Sequence, residues 1–210
     1  MSIWIFGDSF CDHNDHFPES WPHQLTKHYT VKNFAMPGSG LDWSMNKMIT
    51  MTGIEPQDIL MCWLTDPWRQ NWRMFDSPKD QTIIPLIASE SKNAIPIDKA
   101  QYYPYKDFFK TFIRNVKNNF TDIEYKKHIG YINSRSHQFA KVLIVPCFYD
   151  IDISDMQLNS NVTIAEGRMI DYESANGDDH YYNHLPKDKH KEFFNYITNY
   201  IDKNITPCLK

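Results

Sequence analysis

The sequence predicts a three-layer α/β domain built on a parallel sheet, and three observations carry that prediction. Ile59 to Leu64 and Val142 to Val145 are unbroken apolar runs, as expected of strands covered on both faces. Strand-like and helix-like stretches alternate through the first third of the chain and again through the last third, the order that builds a parallel sheet. Near the end, Phe193, Ile197, Tyr200 and Ile201 fall at i, i+4, i+7 and i+8. That spacing makes one apolar stripe on a helix lying against a sheet.

Each element follows in order. Ser2 to Phe6 is apolar and aromatic and ends at Gly7, which reads as a buried strand. Glu19 to Tyr29 reads as a helix, with Pro22 tolerated in its first turn. Thr30 to Ala35 reads as the second strand, stopped by Pro37 and Gly38. Leu41 to Met51 reads as the second helix, with Leu41, Met45, Met48 and Ile49 near one face. Asp58 to Leu64 is the third strand and Lys141 to Cys147 the fourth. Between them, from Pro67 to about Tyr105, prolines and polar residues accumulate and the periodicity fades. This stretch reads as a lid-like insertion, approximately 67–105, in a single domain spanning 1–210. A helical segment from Lys106 to Gln138 follows, marked by Phe109, Phe112, Ile113, Val116, Phe120, Ile129 and Ile132. The last helix covers Pro186 to Ile201, with proline well placed in its first turn.

Composition narrows the function classes. A chain of 210 residues can bury a sizeable core without staples. Its 15% aromatic content argues against disorder. A net charge of −4 gives no support to non-specific nucleic-acid binding, which needs a clustered basic surface. The apolar runs are too short to span a bilayer. The first residues have neither a basic start nor a long apolar core, so no signal peptide is expected and a cytoplasmic location is. Cys11, Cys62, Cys147 and Cys208 are widely spaced and read as free thiols rather than a disulfide framework. The Asn-x-Thr triplets at Asn119, Asn161 and Asn204 read as chance in an Asn-rich chain.

The most informative residues are Gly7-Asp8-Ser9-Phe10, directly after the first strand. In an open parallel sheet, ligands bind just beyond the carboxyl ends of the strands. A serine on that turn can act as a nucleophile if a base takes its proton. His184, in Asn183-His184-Leu185-Pro186 before the last helix, is the best candidate base. Asp8 reads as structural, hydrogen-bonding its own turn. Cys11 is a rival nucleophile only if its pKa is depressed; a small buried cysteine is the simpler reading.

At this point the sequence resembles the SGNH (GDSL-type) hydrolase family. The first block is similar to Ile5-Phe6-Gly7-Asp8-Ser9-Phe10 and the second to Val31 through Gly38. The third falls at Trp63-Leu64-Thr65-Asp66, and the last at Asn183-His184-Leu185-Pro186. The blocks occur in family order and bracket almost the whole chain. The resemblance implies a flavodoxin-like α/β/α sandwich and a Ser–His hydrolase or acyltransferase. It implies Ser9 as nucleophile, His184 as general base, and the backbone N–H groups of Ser9 and Gly38 as oxyanion donors. The third block departs from Gly-x-Asn-Asp: Thr65 stands where the family has a donor Asn, and nearby Arg69 could supply charge instead. The family's acid, three residues before the histidine, is here Tyr181. Asp179 is the nearest carboxylate that a loop could bring to the imidazole; a dyad assisted by a backbone carbonyl is the alternative.

The implied reaction needs no metal or organic cofactor. Histidine and aspartate clusters at Asp12 to His16 and at Asp178 to His180 with His184 contain ligand types, but read as solvated polar loops. Trp68, Trp72, Phe75, Tyr102, Tyr103 and Tyr105 pack the insertion or form a substrate wall suited to sugar rings or acyl chains. The expected substrate is a small acyl ester, such as an acetylated carbohydrate. Rival readings are a catalytically degenerate binding or structural protein of this fold, and an acyltransferase using the same Ser–His pair.

Overall fold

In the computed structural model, the described residues are 1–12, 18–37, 39–65, 67, 70–73, 83–86, 122–148, 150–169, 185 and 187–205. In chain order they form β1 (Ser2–Phe6), α1 (Trp21–Thr26), β2 (Thr30–Asn33), α2 (Leu41–Ile49), β3 (Ile59–Leu64), β4 (Gln70–Arg73) and β5 (Ile83–Leu86). Then come α3 (122–135), β6 (Lys141–Pro146), β7 (Val162–Ile164) and α4 (Lys187–Ile205). The main sheet runs β2-β1-β3-β6-β7, and every pairing in it is parallel. Counted within this sheet, the order is 2-1-3-4-5, that of a flavodoxin-like fold. β4 and β5 form a separate antiparallel pair.

Strand side chains alternate between two apolar layers, as the two-residue period requires. Ile3, Ile5, Ile59, Met61, Trp63, Leu143 and Val145 face one layer. There they join Trp21 and Leu25 of α1 and Phe193, Ile197 and Ile201 of α4. Trp4, Phe6, Leu60, Cys62, Leu64, Val142 and Ile144 face the other, with Leu41 and Met48 of α2 and Tyr125, Ile129 and Ile132 of α3. The unbroken apolar runs are explained by this: the inner strands β1, β3 and β6 are buried on both sides, while the edge strands β2 and β7 are only half-buried. Burying one such side chain contributes about 1.5–3 kcal/mol. No described helix is long and apolar enough to cross a membrane.

The boundaries differ from the sequence expectations for physical reasons. β2 ends at Asn33 rather than Ala35, because the Asn33 side chain accepts the Ala35 N–H at 2.9 Å and turns the chain. α1 is shorter than expected at both ends, with proline in its first turn as anticipated. On α2 the buried residues are Leu41, Ser44 and Met48, while Ile49 is 59% exposed. Ile49 lies about 100° around the helix from the centre of that face, so it does not share the stripe assigned to it. β7 has only three residues and no pattern of its own; its pairing with β6 makes it a strand. The second half of the expected segment 106–138 is α3 followed by a single 3-10 turn at Ser136–Gln138. Its first half lies outside the described residues.

At the amino ends of the strands, the buried Asp58 carboxylate ties several elements together. It accepts the Ser2 N–H at 2.6 Å, the Trp4 indole N–H at 2.9 Å and the Glu55 N–H at 3.1 Å. Burial alone would raise its pKa. These three donors and the nearby amino terminus outweigh burial and hold it below the usual carboxylate value.

Candidate active site

β1 lies between β2 and β3, so the chain leaves it at the point where strand order reverses. Crevices at such points are where open α/β sheets bind ligands. Gly7, the first residue beyond β1, has no room for a side chain. A Cβ there would lie 2.5 Å from Cys11 Sγ and 2.7 Å from Trp63 Cβ. Its carbonyl accepts the Met36 N–H at 3.1 Å and the Ser39 hydroxyl at 3.0 Å. The loop after β2 is thereby held against the loop after β1.

Ser9 opens a one-turn 3-10 helix, Ser9–Cys11. It is half-buried, between the fully buried Asp8 and Phe10. The Asp8 carboxylate caps this turn by accepting the Phe10 N–H at 3.1 Å, and the Asp8 carbonyl accepts the Cys11 N–H at 3.2 Å. Other elements brace the same turn. Trp21 of α1 donates its indole N–H to Phe10 O at 2.9 Å. Asn33 of β2 donates to Cys11 O at 2.8 Å. The Phe10 ring meets Phe148, which follows β6, edge-on at 5.6 Å. Ser9 is therefore presented on backbone anchored from three sides.

Thr65, the first residue after β3, is fully buried. Its hydroxyl donates to Asp8 Oδ2 at 2.5 Å. A threonine has one O–H to give, so this hydrogen serves the Asp8 carboxylate rather than an oxyanion. The Thr65 carbonyl accepts the buried Tyr125 hydroxyl at 3.0 Å. The sequence reading gave Tyr125, Asn33 and Ser39 no individual role. The available signal for Tyr125 was its i, i+4, i+7 spacing with Ile129 and Ile132, which turns an aromatic body inward and leaves its polar tip needing a partner.

Cys11 is excluded as a rival nucleophile. It is fully buried, and burial first, then the neighbouring Asp8 charge, push its thiol pKa well above the ordinary value. Its S–H points to Asp8 O at 3.5 Å. Cys11, Cys62 and Cys147 are free thiols, as expected.

Gly38, Arg69, Asp179 and His184 lie outside the described residues, as do His13 to His16, Asp178 to His180, Trp68, Phe75, Tyr102, Tyr103, Tyr105 and Cys208. The residues flanking His184 towards α4 are partly described. Leu185 is buried in the apolar cluster that also holds Phe10 and Cys11. Inside α4, the fully buried His190 accepts the Trp21 N–H at Nδ1, 3.3 Å away, and so caps α1.

No family model and no curated protein matches the chain. Among solved structures it is similar to the crystal structure of protein YXIM from Bacillus subtilis, at 13% identity and a TM-score of 0.36. The similarity covers 69% of this chain and 32% of that one, so the chain spans about a third of that protein's length. The chain is thus a flavodoxin-like α/β/α sandwich that presents a braced serine at the switch point of its sheet.

Proposed function

We propose that the protein is a serine esterase of the SGNH type, acting on a small acyl ester such as an acetylated carbohydrate. The observation that carries this reading is the position of Ser9. It follows β1 at the carboxyl edge of a 2-1-3 parallel sheet, on a turn held by Asp8, Trp21 and Asn33. In the proposed course, the Ser9 hydroxyl attacks the ester carbonyl and gives its proton to His184. The backbone N–H groups of Ser9 and Gly38 receive the developing oxyanion, and each such donor lowers the barrier by about 3 kcal/mol. The C–O bond to the alcohol then breaks, and His184 returns the proton to the leaving alcohol. Water attacks the acyl-enzyme with His184 again as base, releasing the acid and restoring the Ser9 hydroxyl. Asp179 would hold the imidazole in the right tautomer, and Arg69 could supply positive charge near the oxyanion.

A fluorophosphonate probe tests the proposal. The folded protein should be labelled on Ser9, Ser9→Ala should abolish labelling, and p-nitrophenyl acetate should be hydrolysed by the wild type alone. Folded protein that takes no label and turns over no short ester would instead be a binding module of this fold. Product analysis with an added acceptor alcohol separates a hydrolase from an acyltransferase.

A further inference from the structure

The Asp8 carboxylate is fully buried, and among the described residues it receives one hydrogen from within the nucleophile turn and one from the end of β3. Oδ1 takes the Phe10 N–H at 3.1 Å, from within the turn. Oδ2 takes the Thr65 hydroxyl at 2.5 Å, from the end of β3. Thr65 is itself held by α3, through the Tyr125 hydroxyl on its carbonyl at 3.0 Å. A chain of buried hydrogen bonds thus runs from α3 to β3 to the turn, and Ser9 sits between the two residues it fixes.

From this geometry we infer that Thr65 is a positioning residue, acting on Ser9 through Asp8, and that Tyr125 extends the same brace into α3. This rests on the esterase reading for its catalytic consequence. Two features of the site favour it over direct stabilisation of an oxyanion. The Thr65 hydroxyl has a single hydrogen, and that hydrogen is on Asp8. A carboxylate buried this deeply is also costly to leave short of donors, so removing the hydroxyl should displace Asp8 and with it the turn. Misplacing a reacting group by about 1 Å can cost 10²-fold in rate, so a small displacement suffices.

The test uses Thr65→Val, which keeps the shape and removes the O–H, and Thr65→Ser, which keeps the O–H. With p-nitrophenyl acetate, Thr65→Val should lower kcat by about 10- to 100-fold at nearly constant KM, and Thr65→Ser should stay within a few-fold of wild type. In an Asp8→Asn background, Thr65→Val should cost little more, because linked residues are non-additive. An equal loss in both backgrounds would overturn the inference and mark Thr65 as a direct oxyanion donor. A second measurement needs no turnover and no Asp8 variant. In the free protein, Thr65→Val should shift the Phe10 amide resonance and speed its hydrogen exchange, and Thr65→Ser should do neither. An unmoved Phe10 amide would overturn the brace whether or not any ester is hydrolysed. A moved Phe10 amide in a protein without esterase activity would uphold the brace and overturn the esterase reading alone.

Discussion

Gly7 shows how tightly the Ser9 turn is packed. The site for a β-carbon is already occupied by Cys11 Sγ and Trp63 Cβ, and Trp63 is itself stacked on Trp21 at 4.7 Å. Gly7→Ala should therefore destabilise the fold by about 1–3 kcal/mol, the usual cost of overpacking, read as a lowered urea midpoint. At the opposite edge of the sheet, Asp58 works by charge. Its pKa is lowered in the folded protein, so its stabilising contribution is present above the unfolded value of about 3.9 and drains away as pH falls through the folded value. Asp58→Ala should cost about 2–3 kcal/mol near neutral pH, since a hydrogen bond to a charged group contributes about 1.5–3 kcal/mol. Asp58→Asn should flatten the fall in stability on acidification below about pH 4. Denaturant titrations at several pH values would check both; an unchanged acid slope in Asp58→Asn would count against this role.

Helix faces decide which apolar residues matter. The stripe on α4 is buried as its spacing indicated, with Ile197 at 0% and Ile201 at 2% exposure. The stripe on α2 is not, because Ile49 turns out to solvent at the helix end while Ser44 turns in. Ile197→Ala should thus cost about 2–5 kcal/mol, and Ile49→Ala should stay within about 0.5 kcal/mol of wild type. Thermal or denaturant unfolding of the two variants compares them directly. The difference between the helices was only half legible. Nineteen residues average out a misassigned position on α4, whereas nine residues on α2 leave one position able to mislead.

For the molecule as a whole, the two apolar layers enclose every described thiol. Burial also raises the pKa of Cys11 and of Cys62, and the thiolate is the reactive form. In a Cys208→Ser variant, Cys11, Cys62 and Cys147 should react with a disulfide reagent only as fast as the protein opens, with rates rising through the unfolding transition. Rapid labelling of Cys11 in native protein would contradict the buried, protonated thiol.

The sequence by itself determined the α/β class, four of the five strands of the main sheet, the terminal helix and the serine at the end of the first strand. Those features rest on local information: unbroken apolar runs, a glycine after a strand, a 3.6-residue stripe. The tertiary structure alone decided the rest. β7 is a strand only because β6 offers it a partner. Asp58 is a hub only because Ser2, Trp4 and Glu55 converge on it. Thr65, matched by position to an oxyanion donor, gives its hydrogen to Asp8, 57 residues away along the chain. Hydrogen bonds between distant residues leave no periodic trace in a sequence, and a hydroxyl's single hydrogen goes to whichever acceptor the fold brings within reach.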